Sequence, residues 1–77
     1  MHSRKLTRVE KRLRSTVSEN IRWILDAWDL TVDEFSNRAK VSKSHVFNIL
    51  NGTSSASVDL IARIATAFEL EPSELLE

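Results

Sequence analysis

The sequence predicts an all-α fold of five short helices. Apolar residues recur at spacings of three and four along most of the chain, and residues able to cap a helix N-terminus stand ahead of each periodic segment. No alternating pattern competes as a strand. At 77 residues the chain makes one small domain with little stability to spare, and with no cysteine it must hold its core by packing alone.

The elements follow in order. Thr16-Val17-Ser18-Glu19 fits a capping box, and Ile21, Ile24, Leu25 and Trp28 after it form the inner stripe of a first helix. Residues 1–15 then read as a basic N-terminal arm ahead of a domain spanning 16–77. Leu6, Val9, Leu13 and Val17 continue the same spacing, however, so an extension of the first helix stays open. Thr31-Val32-Asp33-Glu34 opens a second helix running to Ala39, with Leu30 placed to staple Phe35. Ser42 caps a third, Val41 staples Val46, and Val46, Ile49 and Leu50 face inward before Asn51-Gly52 ends it. Thr53 to Ala56 is a small-residue loop. Ser57 and Asp59 start a fourth helix with Val58, Ile61, Ile64, Ala65 and Phe68 inside, and Pro72 opens a last turn with Leu70 against Leu75. Trp23, Phe47 and Leu60 fall where surface is expected.

The formal net charge of zero conceals an asymmetry. Residues 1–17 hold Arg4, Lys5, Arg8, Lys11, Arg12 and Arg14 against Glu10, net +5, and the remainder carries five basic and ten acidic residues, net −5. A basic segment on an acidic body suits a segment that follows a phosphate backbone; a solvated tail is the plain alternative.

Other classes are disfavoured. The basic N-terminus lacks the apolar stretch of a signal peptide and no apolar run approaches a membrane span, so a soluble cytoplasmic protein without a membrane partner is expected. His2 and His45 are the only histidines and no histidine–carboxylate cluster has ligand spacing, so no metal or cofactor is expected. Ser42, Ser44 and His45 point in different directions on a helix and lack an orienting third group, so catalysis is not expected. A single glycine rules out a glycine-rich phosphate loop.

The gap between the second and third helices is the informative detail. Only Lys40 and Val41 separate Ala39 from the Ser42 cap, so the pair turns sharply, as in a helix-turn-helix. Around it stand Leu30-Thr31, Glu34, Ser36, Val41-Ser42, Val46, Ile49, Asn51-Gly52, Ser57-Val58-Asp59, Ile64-Ala65 and Leu70 through Glu74-Leu75-Leu76. In this pattern, gapless from about residue 20 to 76, the chain resembles the Cro and phage-repressor, Xre-like, helix-turn-helix family. The resemblance implies a lambda-repressor-like five-helix domain and a sequence-specific DNA-binding regulator, a repressor by expectation, that binds double-stranded DNA as a homodimer.

The resemblance places base reading on Lys43, Ser44, Phe47 and Asn48, with Ser42 at the helix start. Asn48 suits adenine, Lys43 guanine, Ser44 either kind of base edge, and the Phe47 ring a thymine methyl. It places phosphate contacts on His45, Asn51 and the amides of Gly52 and Thr53, joined by Arg4, Lys5, Arg8, Lys11, Arg12 and Arg14 of the basic segment. The chain departs from the family at three points. Val32 stands where a phosphate-binding glutamine is usual, Lys40 where the turn is commonly glycine, and Leu25 with Leu50 where many members bury an arginine–glutamate pair. Replacement of both partners by hydrophobes predicts that Leu25 and Leu50 touch. The competing expectation is a protein-interaction module, antitoxin-like or an antirepressor adaptor, that kept the scaffold and lost DNA reading. The acidic body, Val32 and Phe47 favour it.

Overall fold

The computed structural model describes residues 5–77. Among these, four α-helices and a 3-10 turn follow one another: α1 Arg8–Ala27, α2 Val32–Ala39, α3 Lys43–Leu50, α4 Val58–Ala67, and the closing turn Pro72–Leu75. The expected fifth helix is thus a single 3-10 turn, since four residues are too few to establish an α-helical hydrogen-bond ladder.

The first helix begins earlier than the Thr16 box predicts. Thr7-Arg8-Val9-Glu10 is a second, upstream capping box: Thr7 Oγ1 accepts the Glu10 amide at 3.1 Å and Glu10 Oε1 accepts the Thr7 amide at 2.9 Å. Since the apolar spacing runs unbroken through Leu13 and Val17, nothing stops the helix at Thr16, which lies in its interior. The extension reading therefore describes residues 8–15. The caps expected at the other starts form as read: Thr31 with Glu34 as a capping box, Ser42 onto the His45 amide, and Ser57 onto the Leu60 amide.

All four helices close in one way. The amides of Leu30, Val41, Thr53 and Leu70 each reach back five residues, to the carbonyls of Leu25, Ser36, Asn48 and Ala65. The residue before each sits in the left-handed region: Asp29, Lys40, Gly52 and Glu69, with φ of 53°, 58°, 79° and 56°. Leu30, Val41 and Leu70 pack against the core, and each directly precedes the next N-cap. One apolar residue thus finishes one helix and anchors the next, which is why the connections are so short.

The core joins Val17, Ile21 and Ile24 of α1 with Phe35 and Ala39 of α2, Val46 and Ile49 of α3, Ile61, Ile64 and Ala65 of α4, and Phe68 and Leu75. Phe35 and Phe68 stack with centroids 5.1 Å apart, and Trp28 meets Phe68 edge-on at 5.2 Å. Trp28 is otherwise 38% exposed, so it covers the rim rather than filling the interior as the stripe predicts. The inner face of α4 also differs from expectation: Val58 is 85% exposed and Leu60 only 5%. Val58 is the first helical residue, and its side chain leans back beyond the helix start, where no core lies.

Arginines tie the helix ends together. Arg38 Nε donates to Ala67 O at 3.2 Å while its guanidinium lies 4.3 Å from the Trp28 ring centroid. Arg63 Nη1 donates to Lys40 O at 3.3 Å. Both satisfy carbonyls that a helix terminus leaves without an intrahelical partner. No described helix is long and apolar enough to cross a membrane.

Candidate nucleic-acid interface

The turn between α2 and α3 is held by Lys40. At φ 58°, ψ 47° it occupies the left-handed conformation for which glycine is the usual residue, and its amide bonds Ser36 O. This lets α3 start three residues later with its apolar face already against the core: Val46 and Ile49 are buried. What remains outward is one polar stripe. Lys43, Ser44, Phe47, Asn48 and Asn51 are all exposed, at the spacing that one helix face requires.

The expected base readers are not equivalent. Ser42 is committed to capping, with its Oγ accepting the His45 amide at 3.1 Å. Lys43 reaches back to α2, its Nζ 3.0 Å from Asp33 Oδ1, and lies 5.9 Å from the Phe47 ring centroid. Ser44, Phe47 and Asn48 complete the exposed face, with Phe47 42% exposed.

The expected phosphate group divides. His45 is half-buried and directs Nε2 at Ser55 O, 3.4 Å away in the loop after α3. The Gly52 and Thr53 amides are already bonded, to Ile49 O at 3.1 Å and Asn48 O at 2.9 Å, because they close α3. In this arrangement both amide hydrogens are engaged in closing the helix. Asn51 stays exposed at the C-cap. Of the basic segment, Lys5 precedes α1; Arg8, Lys11, Arg12 and Arg14 lie on its first turns; Arg4 is outside the described residues.

The structure adds a residue the sequence reading left unassigned. Arg22 Nη2 donates to Leu50 O at 3.2 Å, Ser18 Oγ donates to the same carbonyl at 3.1 Å, and Arg14 Nη1 donates to Gly52 O at 3.4 Å. Residues 14, 18 and 22 form one helical stripe at a spacing of four, laid along the C-terminal end of α3. That spacing was visible in the sequence; its target was not. Between the two elements opens a cleft of about 410 Å³ whose lining includes Lys11, Arg14, Arg22, Glu19, Asn51 and Gly52. Three cations thus gather beside the exposed end of the polar stripe, with Glu19 the carboxylate among them.

A family model described as helix-turn-helix matches residues 21–75, covering α2, α3 and the sharp turn between them. The chain belongs to the Xre/Cro-like helix-turn-helix family. No curated protein and no solved structure matches it. In this helix-turn-helix protein α3 occupies the position of the family's recognition helix. Among the described residues, no group of three or more His, Asp and Glu side chains is arranged to hold a metal ion.

Proposed function

We propose that the protein is a sequence-specific DNA-binding transcriptional regulator, a repressor by its type, acting as a homodimer with α3 in the major groove. What carries the reading is the outward stripe Lys43, Ser44, Phe47 and Asn48 on a helix whose opposite face is locked into the core. Asn48 reads adenine bidentately, Ser44 accepts or donates to a neighbouring base edge, and Phe47 lies against a thymine methyl. Lys43 contributes when it leaves Asp33. The cations beside the α3 C-terminus, Lys11 and Arg14 with Arg22, meet backbone phosphates and set register rather than sequence. Asn51 and His45 flank the same backbone. Lys5, Arg8 and Arg12, with Arg4 beyond the described residues, add long-range attraction.

The deciding experiment is selection from a random duplex library at near-physiological salt with the full chain and its Asn48→Ala variant. The expected result is an enriched near-palindromic site that Asn48→Ala loses at one base position per half-site while keeping its helical circular dichroism. No enrichment at any salt overturns the reading. It would favour the second one, a protein-interaction module, which the 42% exposure of the Phe47 ring and the acidic body support.

A further inference from the structure

One face of α1 lies outside the contact with α3 and is covered only in part, where the closing segment Leu75 to Glu77 meets Asn20 and Leu13. Along it lie Val9, Leu13, Thr16, Asn20, Trp23 and Ala27, separated by alternating steps of four and three. That is the heptad spacing of a coiled-coil seam. The core uses the neighbouring stripe of the same helix, Val17, Ile21 and Ile24, so the two patterns run side by side along it. Val9, Leu13 and Trp23 are three of the exposed large hydrophobic side chains, and a fourth, Leu76, lies beside Leu13. Leu13, Val17, Ala56, Ile61 and Leu76 line a cleft of about 270 Å³ at that point.

We infer that this seam is the dimer interface: α1 packs antiparallel on α1 of a second copy of this chain, about a twofold axis passing between Thr16 and Asn20. It rests on the reading above that two copies act together, and it names the face. The seam is close to palindromic about that axis. Leu13 of each copy meets Trp23 of the other, whose indole enters the cleft beside Leu13 and Leu76, and Val9 meets Ala27. At the centre Thr16 faces Asn20. Asn20 Nδ2 is held by Leu75 O at 2.9 Å and Glu77 O at 3.2 Å, so Oδ1 is the atom it offers to the Thr16 hydroxyl across the axis. A polar pair at the middle of an apolar seam fixes register.

Charge selects the orientation and the occupant. The first half of α1 carries Arg8, Lys11, Arg12 and Arg14 against Glu10, whereas Glu19 and Asp26 stand in its second half, and Asp29 just beyond, against Arg22. Antiparallel pairing sets the basic half of one copy beside the acidic half of the other, with Arg12 flanking the seam opposite Asp26. Parallel pairing sets like beside like. A second copy is therefore complementary to this face in its apolar pattern and its charge. Glu19 meets its own copy near the axis, the one like-charge contact of the arrangement.

Sedimentation equilibrium of the full chain without DNA tests this. The expected wild-type species is a dimer of twice 8.8 kDa. Leu13→Glu weakens association at least about tenfold, as does Arg12→Glu, whereas Arg12→Glu combined with Asp26→Arg restores it. Leu13 and Arg12 are exposed, so the helical circular dichroism and thermal midpoint of each variant stay near wild type. Wild-type chain that remains monomeric up to millimolar concentration, or a dimer indifferent to Leu13→Glu and to the charge reversal, overturns the inference. DNA selection can succeed or fail independently, because Leu13→Glu leaves α3 intact and its monomer still reads a half-site.

Discussion

Lys43 Nζ lies 3.0 Å from Asp33 Oδ1, so the first cation of the recognition helix is held by an acid from the helix before it. The pair spans the two helices of the helix-turn-helix across its turn. Both side chains are largely solvated, 51% and 65% exposed, so the bridge contributes well under about 1 kcal/mol to stability. Its consequence is for binding. Asp33→Asn frees Lys43 and removes a negative charge beside the exposed face of α3. Affinity for all sequences rises several-fold in titrations at low salt, and the gain shrinks as salt increases. Affinity that falls or stays the same would show that Asp33 orients Lys43 productively instead.

Under the proposed function, the cations along the cleft act on the DNA backbone. Lys11→Ala combined with Arg14→Ala lowers the slope of log affinity against log salt by about 2 and leaves the selected sequence unchanged. Fluorescence anisotropy over a salt series measures the slope. An altered sequence preference would mean that Arg14, through Gly52, positions α3 rather than contacting phosphate.

Lys40 carries backbone strain at the turn. A non-glycine residue in the left-handed region costs about 1 kcal/mol, and its side chain is exposed, so Lys40→Gly removes the cost without removing a packing contact. The expected result is a thermal midpoint raised by about 4–8 °C in differential scanning calorimetry. A lowered midpoint would place more weight on the unfolded-chain entropy that glycine adds.

Ser36 is buried in the middle of α2, and its Oγ finds no hydrogen-bond partner. An unsatisfied buried hydroxyl costs about 1–3 kcal/mol, so Ser36→Ala stabilises the protein, read as a higher urea midpoint with an unchanged slope. Destabilisation would indicate a water bound at that hydroxyl.

Leu25 and Leu50 are each half-buried and packed against the core, on the two helices joined by Ser18 and Arg22. Leu25→Arg alone puts an unpartnered charge at this rim and destabilises by about 2 kcal/mol. Adding Leu50→Glu recovers about 1 kcal/mol or more in a double-mutant cycle if the two side chains meet. Strict additivity would place them apart.

Much of this protein was legible because its signals are local. Thr31 with Glu34, Ser42, Ser57 and Pro72 mark starts through groups within one turn, and Val46 with Ile49 mark a buried face through spacing alone. The start of α1 stays open in the sequence because two capping boxes, at Thr7 and Thr16, compete for one helix; local chemistry allows both, and continuity of the apolar stripe selects the first. Val58 and Leu60 exchanged places for a related reason: periodicity assigns a face, but a residue at the helix start points past the end of its neighbour.

The sequence by itself determined the helices, the sharp turn at Lys40, the polar face of α3 and the charge asymmetry. The first three depend on residues a few positions apart, and the last on composition alone. Tertiary structure alone decided what the side chains around that face do: that Lys43 is held by Asp33 of α2, and that Arg14 and Arg22 of α1 reach the Gly52 and Leu50 carbonyls across 38 and 28 residues of chain. Such contacts depend on how α1 and α2 lie against α3. That is set by the whole core and not by any stretch of sequence near either end of the bond.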